Sequence, residues 1–309
     1  MSETTVLVLF NIFIVAMLVL DLGIIQRKAH FPTMKEAIGW SVVWINLALL
    51  FGVFIWFQYG PTKALEYLTG YIVEEALSVD NVFVFIIIFT YFSVPKNVQH
   101  KVLFWGVLSA IVFRAIFIIA GAALVSAFHW ILYILGAFLI FTALKLAFED
   151  GTEVHPEKNP FIRFARKFLP VTKEYHGANF FVRVDGKLYM TPLFIVLLMI
   201  ETTDIAFATD SIPAIFAITR DTFIIYTSNI FAVLGLRSLY FVVAGFLKQF
   251  RLLKFGLALV LGFIGVKMII EPWVRISILV SLSAIFSVIT ASILASIVVP
   301  GTDGKEKSP

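Results

Sequence analysis

Six carboxylates, Glu74, Glu75, Asp80, Glu201, Asp204 and Asp210, stand in two otherwise apolar stretches of the chain. Acids so placed can hold a metal cation, carry protons, or pair with a buried base. Arg114 and Arg237 are the mid-stretch bases available to them, so acid exceeds base. Such an excess is relieved by protonation, by a bound cation, or by both. The five histidines, His30, His100, His129, His155 and His176, fall in connections or at helix ends, and the chain has no Cys. Apart from Met199, the donors near the acids are carboxylate, amide, hydroxyl and backbone oxygens. An all-oxygen set disfavours Cu(I) and Zn²⁺ and suits Mg²⁺, Ca²⁺ or Mn²⁺, among which ligand chemistry alone does not choose.

The elements that must position these groups follow from the composition. Of the 309 residues, 60% are hydrophobic and 14% charged, and the mean hydropathy is +0.97. A soluble globule carries about 45–50% apolar and about 25% charged residues. This composition cannot coat a water-soluble particle, so the expected fold is all-α and polytopic in a lipid bilayer. Nine segments are long and apolar enough to span: about 4–26, 37–59, 67–91, 102–125, 130–149, 191–218, 223–246, 252–270 and 276–299. Placing the amino terminus outside puts seventeen of the 24 Lys and Arg in inner connections and three in outer ones. The positive-inside rule therefore predicts N-terminus out and C-terminus in. The same rule accounts for the net charge of +4 without nucleic acid as a partner. The first span lacks a preceding basic residue and a cleavage site, and is read as retained.

The chain also matches itself. The third span contains Glu74-Glu-Ala-Leu-Ser-Val-Asp80-Asn-Val and the sixth Asp204-Ile-Ala-Phe-Ala-Thr-Asp210-Ser-Ile. Each following span carries one arginine, Arg114 or Arg237, and the span after that a Lys and Glu four apart, Lys145/Glu149 or Lys267/Glu271. Spans 3–5 (about 67–149) and 6–8 (about 191–271) would enter the membrane from opposite sides. They are predicted to be inverted three-helix repeats, which place ion sites near the midplane between the halves. The expectation is a single transmembrane domain over 1–300 and a disordered inner tail over 301–309.

Helix geometry limits how the acids converge. Glu74, Ser78 and Asn81 share one stripe of the third span, whereas Asp80 lies about 120° away. Asp204 and Ser211, joined by Glu201, share the matching stripe of the sixth, with Asp210 displaced. Pro213 cannot bond the carbonyl of Thr209, which predicts a loosened helix beside Asp210. In the long inner connection 150–190, residues 161–169 read as an amphipathic surface helix ended by Pro170, and Asn179–Tyr189 as a hairpin turning at Asp185-Gly186. This connection is either a gate or docking element or a linker packed on helix ends.

The acidic motifs, Glu74 to Asn81 and Glu201-Thr-Thr-Asp-Ile-Ala-Phe-Ala-Thr-Asp-Ser-Ile-Pro-Ala214, resemble the two signature motifs of the TerC/Alx family of bacterial integral membrane proteins. Asp21-Leu-Gly23, Lys35-Glu-Ala-Ile-Gly-Trp-Ser41, His176-Gly177 and Gly235-Leu-Arg-Ser-Leu-Tyr240 are similar too, and the resemblance covers about residues 10 to 300. It implies a manganese exporter of the bacterial inner membrane, related to the LysE-type transporters built from inverted three-helix repeats. The ion-handling positions it implies are Glu74 or Glu75, Asp80, Asn81, Glu201, Asp204 and Asp210, with Arg114 and Arg237 compensating charge. Asp21 is read either as an interfacial residue or as part of an access path. The family name refers to tellurite resistance, and plant relatives are linked to thylakoid protein insertion.

No Walker-type phosphate loop is present, so secondary efflux of Mn²⁺ without ATP is the leading expectation, with Mn²⁺ as cargo and no resident cofactor. The alternative is a non-transporting membrane factor for protein insertion or for envelope or tellurite stress. An intramembrane aspartyl protease is disfavoured, because Asp80 and Asp210 lack a preceding Gly-x-Gly, and no enzyme activity is expected.

Overall fold

The computed structural model describes residues 3–20, 32–128, 130–148, 156, 159–245 and 252–298. Among these, nine helices have 18 residues or more: α1 Glu3–Leu20, α2 Met34–Tyr59, α3 Pro61–Tyr91, α4 Lys96–Ala127, α5 Ile131–Phe148, α7 Pro192–Phe216, α8 Thr222–Gly245, α9 Leu253–Ile270 and α10 Ile278–Val298. A short α6, Pro160–Phe168, and a hairpin, β1 Phe181–Val184 and β2 Lys187–Met190, lie between α5 and α7. Local chemistry sets several starts. Thr33 and Glu36 form a capping box on α2, and proline occupies the first turn of α3, α6 and α7, where its missing N–H costs nothing. Gly60, at φ +93°, makes the corner between α2 and α3 that a side chain would strain.

Eight of the nine long helices are apolar enough to cross a membrane, rather than the nine expected. The exception is α3, whose 31 residues include Lys63, Glu66, Glu74, Glu75 and Asp80. It nevertheless runs alongside α8 from end to end, with Lys63 bound to Asp221 at one end and the Phe89 ring on Tyr240 at the other. The central position goes to α8, 72% of whose span is buried, against 11% for α10 and 17% for α2. An all-round apolar helix belongs inside, and the outer helices turn their apolar side chains to lipid.

Several contacts relate the two sets of three helices. The start of α3 meets the end of α7 through the Thr219 hydroxyl donating to Glu66 (2.7 Å), so these helices are antiparallel. The Tyr240 hydroxyl on α8 donates to Gln99 at the start of α4 (3.0 Å), and Gly136 early in α5 lies against Gly265 and Ile269 late in α9. The packing of α3 on α8 is repeated by α4 on α7.

The α5–α9 contact depends on small residues. A Cβ on Gly265 would stand 2.8 Å from the Gly136 carbonyl oxygen and 3.1 Å from the Ile140 nitrogen, and backbone cannot yield as a side chain can. Gly265→Val is therefore expected to cost about 1–3 kcal/mol through overpacking, read as a lowered melting temperature in detergent. An unchanged melting temperature would mean that this approach is not tight in the membrane.

Candidate ion-handling site

Arg114 is the centre of the site. Its guanidinium is wholly buried on α4 and reaches three other helices. It pairs with Glu74 on α3, donates to Asp204 on α7 through Nη2 (3.2 Å) and Nε (3.5 Å), and donates from Nη1 to the Asn229 amide oxygen on α8 (2.9 Å). Asn229 closes the ring by donating to the other Glu74 oxygen (3.0 Å). Glu74 and Asn229 are 0% exposed and Asp204 3%, so two carboxylates and one guanidinium share a dry interior. Bidentate, charge-assisted bonds of this kind are strong, and one arginine thus ties together the acidic helices of both repeats.

Around this ring lie polar atoms with no partner among the described residues. Glu75 lies one turn after Tyr71, and its Oε2 is buried and unbonded. Glu201 is held by the Ser109 hydroxyl of α4 through one oxygen, while its Oε2 is also buried and unbonded. The Ser78 and Ser211 hydroxyls are in the same condition, and Asn81 is only 3% exposed. Unsatisfied buried oxygens are few in native structures and mark places where a polar ligand or water is accommodated.

Asp80 and Asp210 form a second group, apart from the arginine. Both are half-buried, on the packed helices α3 and α7. The Thr142 hydroxyl of α5 donates to Asp210 (3.0 Å), and the charges of Lys254 on α9 and Lys145 on α5 act on Asp80 and Asp210 respectively. The helix-wheel offset of these two residues is therefore real and gives a separate carboxylate pair.

The six acids fall into separate groups, as the helix geometry predicts, and among the described residues no three acidic or histidine side chains stand as a group that could hold a metal ion. Contrary to expectation, Pro213 does not break α7 beside Asp210, because the helix is continuous from Pro192 to Phe216. The α8 residue that meets Arg114 is Asn229, about two turns before the half-buried Arg237. Asp21, Glu149 and the tail lie outside the described residues. Sequence reasoning missed Asn229, Ser109, Thr142, Tyr71 and Lys254. The polar run Thr227-Ser228-Asn229 inside an apolar span was the available signal for the first of these.

The fold and the site define a multi-pass, all-α membrane protein with ionisable side chains buried among α3, α4, α7 and α8. The integral membrane protein TerC family model matches residues 59–303, and the chain belongs to that family. It is 50% identical over 289 residues to a membrane protein of Myxococcus xanthus, covering 94% of this chain and 91% of the relative. It is 47% identical over 294 residues to Alx of Escherichia coli strain K12, provisionally named a membrane-bound redox modulator, with 92% of each chain covered. A Rickettsia bellii membrane protein is 42% identical over 291 residues, covering 94% of this chain and 96% of the relative. No solved structure matches the chain significantly.

Proposed function

We propose that the protein is a secondary transporter of the bacterial inner membrane that exports Mn²⁺, with its amino terminus outside and its carboxy terminus in the cytoplasm. The observation that carries this reading is the division of labour among the acids. Glu74 and Asp204 share the single positive charge of Arg114, while Asp80, Asp210 and the unbonded oxygens of Glu75 and Glu201 lie on the same two helices. Buried charge this costly persists in a membrane where it serves ions or protons. In this reading the arginine-clamped arrangement is the ion-free one. Mn²⁺ enters at the half-buried acids, draws carboxylates from Arg114 as the halves rock, and is released outside, after which Arg114 reclaims Glu74 and Asp204 and keeps them from retaining the ion.

The preference for Mn²⁺ over other hard divalent ions rests on the family resemblance. The redox role in the name of the Escherichia coli relative cannot run through thiol exchange in this chain, which has no Cys. Inside-out vesicles containing the protein are expected to accumulate radioactive Mn²⁺ above empty vesicles, with a dependence on an imposed pH gradient if protons are the counter-ion. Absence of accumulation under any gradient would favour a non-transporting membrane factor. Deleting the hairpin, residues 179–190, would then matter more than any change to the acids, with cellular manganese unaltered.

A further inference from the structure

The short helix α6 has three faces, and one of them has no cover among the described residues. Its sequence, Pro160-Phe-Ile-Arg-Phe-Ala-Arg-Lys-Phe168, puts Phe161, Phe164 and Phe168 within a stripe about 60° wide. These rings are 50%, 62% and 68% exposed, and Phe164 and Phe168 stack edge-on at 4.8 Å. Ile162, fully buried, and Ala165, partly buried, form the adjoining face against the core. Arg163, Arg166 and Lys167 occupy the opposite side, all exposed.

The position of α6 says what the rings face. Its N-cap Asn159 takes the Phe161 and Ile162 N–H groups on its Oδ1 and donates from Nδ2 to the Met199 sulfur on α7 (3.3 Å). Met199 precedes Ile200, which lies against Gly106 of α4, so α6 starts at the depth of Trp105. Trp105 is 45% exposed and Tyr91, at the same end of the bundle, 54%. Tyr91 is the last residue of α3, where an exposed Tyr marks the boundary between headgroups and acyl chains, and Trp105 stands nine residues into α4. A helix on this side of the bundle with aromatic rings on one side and three cations on the other has the make-up of an interfacial helix.

We propose that α6 binds an anionic bilayer surface: Phe161, Phe164 and Phe168 enter the acyl region, and Arg163, Arg166 and Lys167 bind lipid phosphates. Anionic lipid thereby holds the Asn159–Met199 contact two residues from Glu201. The complementarity of three cations to a negative leaflet selects a lipid surface over a protein partner as the occupant.

The absence of native Cys makes the test clean, since Phe164→Cys gives one labelling site in the full-length protein. A bimane label there, in phosphatidylcholine vesicles with and without phosphatidylglycerol, is quenched by lipids brominated on the acyl chain. Strong quenching is expected with phosphatidylglycerol, weaker quenching without it, and none at a Lys187→Cys control in the hairpin. Neutralising Arg163, Arg166 and Lys167 to Gln should shift the inserted-to-detached equilibrium roughly fivefold per charge and remove the lipid dependence. These side chains are exposed, so the variant should fold, and unchanged elution of the purified protein checks that it does. Quenching no greater than at the hairpin would overturn the proposal. So would equal quenching in both lipid mixtures, or shielding that grows with the protein-to-lipid ratio, which would mean that another chain covers the rings.

Discussion

Arg114→Met is expected to cost about 3–5 kcal/mol of stability and to abolish Mn²⁺ efflux. The size of the effect follows from burial. The guanidinium is 0% exposed and is the shared partner of Glu74 and Asp204, which are themselves 0% and 3% exposed. Removing it leaves two carboxylates and the Asn229 amide in a dry interior with one donor group between them. Each acid must then take up a proton or draw in water, and the three helices joined at Arg114 lose their common tie. A triple variant, Arg114→Met with Glu74→Gln and Asp204→Asn, separates stability from transport. With all three charges removed, the ring around residue 114 carries no ion, and replacing a whole buried ionic group is often neutral for stability. Its melting temperature should return most of the way to that of the parent while efflux stays absent. If the single variant melts with the parent, the guanidinium is not compensating two ionised acids, and the ion-free role assigned to this arrangement fails.

That network could be read only in part from the sequence, for a physical reason. Hydropathy reports how much of a helix is apolar, so the nine apolar segments coincide with the nine long helices to within a few residues over most boundaries. Among boundaries inside the described residues, the larger differences fall at the starts of α3 and α4, each six residues earlier than the apolar segment, because Pro61 and Pro95 open helices whose first turns are polar. Turn chemistry was equally legible: Asp185 and Gly186 both have positive φ, as a two-residue I′ hairpin requires. The repeat did not show which α8 residue would meet Arg114, because a match of residue type within a helix does not fix depth. Asn229 lies about two turns nearer the start of α8 than Arg237 and holds the level of Arg114. Periodicity correctly separated Asp80 and Asp210 from the stripe of Glu74 and Asp204. It could not show that Thr142 and two lysines from helices outside the acidic pair would surround them.

Asp80→Asn and Asp210→Asn are expected to abolish manganese resistance in an exporter-deficient host, each lowering efflux by more than the about 10–100-fold typical of losing a group that merely orients a metal ligand. They should do so at little cost in stability, which distinguishes them from Arg114→Met. Both acids are half-buried, so neither sits in a dry interior as Glu74 and Asp204 do. The amide keeps an oxygen for the Thr142 hydroxyl in the case of Asp210. What the amide cannot supply is the second negative charge that offsets the dehydration of a divalent ion. The protein should therefore reach the membrane in parental amounts, melt near the parental temperature, and leave cellular manganese high. Full resistance in both variants would remove the Asp80–Asp210 pair from the transport path. A large fall in melting temperature would instead mean that these carboxylates are ion-paired parts of the scaffold, as Glu74 and Asp204 are.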